Sequence, residues 1–253
     1  MPNDVRPSGT ATRVADRPPF PGAIAASHLR VYDTEAPDGL AGGTPHLHTA
    51  CTEAYWVVAG TGAVQTLTTS GYQEEPLEPG AFVWFTPGTI HRLVNRGDLE
   101  ILVLMQNAGL PEAGDMVITF EPEVVADASA YAEAATLPER ERTTSGTGAA
   151  ARARRDLAVP AFVDLRGATE AGDLAPLRAF HAAAARLVQP RVADWTARWR
   201  GGPMAEVERT GDLLRALSVG DADHLADASV HCLPPPADER RMGCCGTLGT
   251  FLP

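Results

Sequence analysis

The chain contains no lysine: all 21 of its basic residues are arginine. A lysine Schiff base, a phosphate-loop lysine and a lysine general base are therefore excluded together. Long hydrophobic runs are also missing. The densest, Ile101-Leu102-Val103-Leu104-Met105, falls far short of the roughly 18 apolar residues that a membrane span needs. Positive charge is scarce, since 21 basic residues against 32 acidic ones give −11, which argues against a nucleic-acid backbone as partner. Cysteine is rare too. Of Cys51, Cys232, Cys244 and Cys245 only the last two lie close in sequence, and adjacent cysteines form a strained, uncommon disulfide, so there is no secreted disulfide framework. The opening residues carry proline and aspartate where a signal peptide needs a continuous apolar core. A cytoplasmic location is the expectation.

What is present has an ordinary globular composition, 44% apolar and 21% charged, over 253 residues, enough for one core domain and an appendage. Residues 1–27 are rich in Pro, Gly, Ser and Thr without period and read as a flexible N-terminal arm. From His28 to Phe120 short β-type runs alternate with turn residues. Strands are expected over 28–32, 44–48, 53–59, 62–68, 81–85, 90–94, 100–106 and 116–120, the rhythm of a sandwich or barrel. Ala59-Gly60-Thr61-Gly62 reads as a hairpin turn between two of them. Residues 121–160 read as a linker with one short helix. Over 161–253 the period becomes helical, with Leu177, Phe180, Ala184 and Leu187 on one face, then Val192, Trp195 and Trp199, then Met204, Val207, Leu214 and Leu217. Asp173 is the expected N-cap of the first of these helices. Docking on the rest of the molecule, or on a partner subunit, follows from the apolar stripes.

Two clusters carry the chemistry. His46 and His48 lie two apart on an expected strand, so both imidazoles face one way, and Glu53 opens the next strand with Tyr55 and Val57 on its face. The second cluster puts His91, Leu93 and Asn95 on one face. Three imidazoles and a carboxylate suit a borderline divalent metal: Fe, Mn, Co, Ni, Cu or Zn. Four protein ligands on an octahedral ion leave about two positions open, which marks a reactive site.

These residues resemble the cupin family. Its first motif, G(X)5HXH(X)3–4E(X)6G, is met by His46, His48, Glu53 and Gly60 in register, with the leading glycine one place early as Gly39. Its second, G(X)5PXG(X)2H(X)3N, is met by Gly80, Gly88, His91 and Asn95, with the proline one place late as Pro87. The resemblance implies a mainly β fold over 28–120, a double-stranded β-helix or jelly roll, followed by a C-terminal α-helical region. It also implies His46, His48, Glu53 and His91 as metal ligands at the barrel centre, iron first among the candidate metals, and a homodimer.

Two open positions that can hold an organic substrate and O2 suit an iron-type dioxygenase, and the apolar and aromatic residues around the motifs suit a small, largely apolar or aromatic substrate, with Glu53 and Tyr55 as candidate catalytic groups. A non-oxidative isomerase, epimerase or lyase using the metal as Lewis acid is the alternative, and a non-catalytic small-molecule binder is a third. Cys51 lies in the bend between ligands, Gln65, Gln73 and Gln106 offer neutral hydrogen bonds, and His28 and Arg30 share a face near the expected barrel mouth. His231-Cys232 and Cys244-Cys245 lack zinc spacing. The runs Arg152–Arg155 and Arg240-Arg241 read as solvated surface.

Overall fold

A computed structural model describes residues 19–251, so most of the expected N-terminal arm lies outside the described residues. Nine antiparallel strands form the barrel: β1 (Ala25–Val31), β2 (His46–His48), β3 (Glu53–Thr68), β4 (Gly71–Leu77), β5 (Phe82–Phe85), β6 (Ile90–Met105), β7 (Met116–Ile118), β8 (Arg241–Met242) and β9 (Gly246–Phe251). Two of them, β3 and β6, are 16 residues long and pair along their whole length, from Glu53↔Met105 to Leu67↔Ile90. Both bend midway and so serve two sheets. One half of the pair adjoins β5, β1, β9 and β8, and the other adjoins β4, β2 and β7. This is the jelly-roll arrangement, with helices following it.

The bend has a local cause. The β3–β6 register shifts between Val57 and Gly62, and Gly60 sits there at φ +75°, where any Cβ would lie 2.1 Å from the Asp98 carbonyl oxygen. A bulge bends a long strand without breaking it. The expected hairpin at 59–62 is therefore a bulge, and the strands expected over 53–59 and 62–68 are one; those over 90–94 and 100–106 merge likewise.

Alternation along β3 buries Glu53, Tyr55 and Val57 inside while Trp56 and Val58 face out. The edge strand β4, Gly-Tyr-Gln-Glu-Glu-Pro-Leu, was not expected, because its middle residues are exposed on both faces and no alternation survives.

Residues 121–160 are not a linker. They hold α1 (Pro122–Ala126), α2 (Ala128–Ala135) and the start of α3 (Ala149–Glu170). The buried face of α3 consists of alanines, Val159, Phe162, Thr169 and two arginines, so no apolar stripe announces it. Arg155 is wholly buried and donates to the carbonyls of Thr34, Glu35 and Gly42 at 2.6–3.2 Å. Arg154 donates to those of Ala135 and Gly243, and Arg240 to those of His28 and Thr247. These three were expected on the solvated surface; carbonyl acceptors engage them inside instead, although the buried Arg154 Nε has no partner.

The helical region continues as α4 (Ala175–Val188), α5 (Val192–Trp199) and α6 (Ala205–Ser218). Asp173 precedes the N-cap residue, Leu174, and accepts from the Ala175 amide at 2.9 Å. Leu177, Phe180 and Trp195 are buried, whereas Val207, Leu214 and Leu217 of α6 are exposed. The chain then returns: β9 pairs with β1 from Ala26↔Phe251 to Val31↔Gly246, so 241–251 belong to the barrel and not to the helical region. No helix among the described residues is long and apolar enough to cross a membrane.

Candidate metal centre

The two histidine clusters meet because β2 pairs with β6 at His46↔His91. Residues directly opposed on an antiparallel pair share a face, so the two rings face the interior together, with centroids 4.2 Å apart. His48 follows on the same face, and Glu53 enters from the other sheet at the start of β3. All four side chains are buried, and one ligand atom from each lies within 4.8 Å of the others.

The outer nitrogen of each ring is committed. His46 Nδ1 donates to the Thr44 carbonyl at 2.8 Å and His91 Nδ1 to the Thr89 carbonyl at 3.1 Å. His48 Nδ1 donates to Asp115 at 2.6 Å, and Asp115 is itself wholly buried. A carbonyl can only accept, so the Nδ1 protons of His46 and His91 are fixed and their Nε2 lone pairs point inward. Those Nε2 atoms face each other at 3.1 Å. Glu53 Oε2 stands 3.1 Å from His91 Nε2 and 3.4 Å from His48 Nε2, yet has no hydrogen-bond partner. Converging lone pairs around an orphaned carboxylate oxygen are what a cation satisfies, so the donor set fits a borderline divalent metal.

Within the cluster, burial and the neighbouring charges pull in opposite directions. Burial opposes protonation of His48, but the hydrogen bond to Asp115 and the nearby Glu53 carboxylate outweigh it and raise its pKa to about 10. Burial, reinforced by His91 and His48, pushes His46 well down. Burial would raise Glu53, but the neighbouring His91 and His48 hold it well below the carboxylate range.

A cavity of about 310 Å³ opens on this centre, walled by Ala25, Ser27, Leu29, Val103, Met105 and Met116 and closed by Cys244, Cys245 and Leu248 of the returning segment. Tyr55 lies on the same wall, its ring 6.3 Å from that of His91, and burial keeps its phenol protonated. The other candidates lie elsewhere. His28 and Arg30 face outward and both pair with Glu100. Gln65 donates to Glu74, and Gln106 accepts from the Thr52 amide. Cys51 is buried beside Asp115 and Asn107, off the cavity wall. His231 and Cys232 are exposed, far in character from the buried Cys244 and Cys245.

Sequence reasoning missed Asp115 and the two cavity cysteines. Asp115 lies 67 residues from the histidine it orients, and no spacing links them. Asn95, by contrast, ends the second motif for a visible reason: its Oδ1 accepts from the Gly97 and Leu99 amides and its Nδ2 donates to the Val31 carbonyl.

Residues 34–105 match the family model of the cupin domain. No curated protein matches the chain. Solved structures do. KdgF from a Halomonas species is 27% identical, with 26% of this chain and 57% of that one covered and a TM-score of 0.23. A nucleoside dehydratase from Streptomyces is 18% identical over 37% of this chain and 68% of that one, TM-score 0.28. A DMSP lyase from Ruegeria pomeroyi is 22% identical over 38% and 43%, TM-score 0.30. The chain thus spans little more than half the length of the first of these.

Proposed function

We propose that His46, His48, Glu53 and His91 hold one divalent transition metal, iron first and Mn, Ni, Co, Cu or Zn as the other candidates. We further propose that the protein is a dioxygenase acting on a small, largely apolar or aromatic substrate. The convergence of four donor atoms on a mostly apolar cavity carries this reading. When bound, such a metal supplies oxygen activation or Lewis-acid polarisation of a carbonyl. The chain's own groups do the rest. The Thr44 and Thr89 carbonyls and Asp115 hold the three imidazoles in the tautomer that presents Nε2. Val103, Met105 and Met116 exclude water, and the Tyr55 phenol is the hydrogen-bond donor that orients a substrate.

One observation favours the second reading, a non-oxidative isomerase, epimerase or lyase. A protonated phenol and a carboxylate held ionised, Tyr55 and Glu53, share one cavity, which is an acid–base pair in waiting. The deciding experiment is metal analysis of protein purified without oxygen, then oxygen uptake with diphenols, flavonols and diketones. Oxygen consumed with substrate supports the dioxygenase; full anaerobic turnover with zinc in the site transfers the reading to the second. A cytoplasmic homodimer completes the proposal. The outward-facing Trp56, Val58, Phe82 and Trp84 on β3 and β5 form an apolar sheet face suited to a second copy, and sedimentation velocity tests it.

A further inference from the structure

We propose that the cavity takes a small monocarboxylate with an apolar body, and that Arg241 recognises its charged end. The inference rests on reading the cavity as a metal-dependent active site and adds the class of substrate.

Register carries the argument. Leu248 on β9 is opposed on one side by Leu29 of β1 and on the other by Arg241 of β8. Directly opposed residues share a face of the sheet, and Leu29 is buried in the barrel interior, so Arg241 projects toward the same inner side. Arg241 accordingly stands in the cavity wall beside Met242 and Cys244, and it is exposed to solvent there.

Its charge is uncommitted. Among the described residues no carboxylate lies within ion-pair distance of Arg241 and no side-chain hydrogen bond engages it, although its neighbours are all taken. Arg240 serves backbone carbonyls, Arg142 pairs with Glu139, and Arg30 pairs with Glu100. Two carboxylates share the wall. Glu53 belongs to the metal centre, and Glu112 accepts from the Gly109 amide at 2.7 Å. The remaining wall is chiefly apolar, with Ala25, Leu29, Val103, Met105, Met116 and Leu248.

A guanidinium at the rim of an apolar cavity matches a carboxylate in shape, through two parallel hydrogen bonds, and in charge. A phosphate would bring about two negative charges against one guanidinium, with Glu53 and Glu112 on the same wall. At about 310 Å³ the cavity is at the lower end of ligand sites, which keeps the body of the substrate small.

The test is calorimetric binding of benzoate and hexanoate, each against its neutral amide, to metal-loaded wild-type protein and to Arg241→Gln. The acids should bind at least about tenfold more tightly than the amides, the usual worth of a charge-assisted hydrogen bond. Arg241→Gln should abolish that preference with metal content unchanged, and Arg241→Lys should restore part of it. Equal binding of acid and amide, or no binding of either acid, overturns the proposal. So does a preference that survives Arg241→Gln, because it would then belong to the metal. Should the glutamine variant fail to fold, Arg241→Met keeps the packing of the stem and is read the same way. Loss of the metal reading shows separately, as wild-type protein that takes up no metal.

Discussion

The barrel and the helix that leans on it are held by different kinds of contact. Inside the barrel, Val64, Leu67, Ile90, Leu93 and Ile101 are wholly buried, and their attraction has no preferred direction. Where α3 meets the barrel, Ala158 and Phe162 join that apolar core, but beside them lie buried guanidinium groups aimed at backbone carbonyls, Arg155 at those of Thr34, Glu35 and Gly42 and Arg154 at that of Gly243. An apolar core yields to small losses by shifting a few atoms. A seam of directed hydrogen bonds does not, since each carbonyl that loses its donor stays buried and unpaired.

The sharpest way to break this contrast is Arg155→Leu. It should destabilise the protein by about 3–5 kcal/mol in urea denaturation, because several buried acceptors lose one donor together. A cost under about 1 kcal/mol, the level of an ordinary surface change, would mean the seam is held some other way. Next in size is the metal centre. His48→Ala/His91→Ala should lose the bound metal by elemental analysis, and with it about 3 kcal/mol of stabilisation at a hundredfold excess of metal over its dissociation constant. A folded double variant that keeps full metal would refute the ligand assignment.

An arginine also works within the barrel, and acid should reveal it. Arg92 is wholly buried and grips Asp38 through both terminal nitrogens. Burial pulls the Asp38 carboxyl up, but hydrogen bonding to Arg92 and its charge outweigh that and hold it below its ordinary value. The contribution is therefore complete above the unfolded value of about 4 and fades as pH falls through the lower folded value. Asp38→Asn should flatten the acid limb of the stability curve and leave its slope at neutral pH alone. Within the apolar core, Ile90→Val should cost only about 0.5–1.5 kcal/mol. At the far end, Leu214→Ala on the exposed stripe of α6 should change monomer stability by under about 0.5 kcal/mol. A larger cost for Leu214→Ala, appearing only at high protein concentration, would place that stripe in a subunit interface.

The same contrast governs what could be read beforehand. His46, His48, Glu53 and His91 were legible because a strand has a period of two and the spacings between turns are tight. The barrel followed from its runs of β-type residues, although the positive-φ glycine at Gly60 looked like a hairpin and proved to be a bulge. The face of α3 was illegible, since patterning treats Arg154 and Arg155 as solvent-facing while satisfied guanidinium groups can lie inside. Asp115, Cys244, Cys245 and Arg241 were illegible for another reason. Asp115 reaches His48, and the other three reach the cavity, through long-range strand pairing, which local sequence does not encode.

The return of β9 to β1 also sets a timetable for synthesis. The Arg240 guanidinium bonds to the carbonyl of a residue 212 positions earlier, and the strands beside it close a loop of similar length. As the chain leaves the ribosome, β1 emerges early and waits with one edge open until residues 241–251 have been made. A metal arriving in that interval meets the histidines and Glu53 with one wall of their chamber still missing. Closing so long a loop is slow, so a chaperone that shelters the open edge should raise the yield of metal-loaded protein.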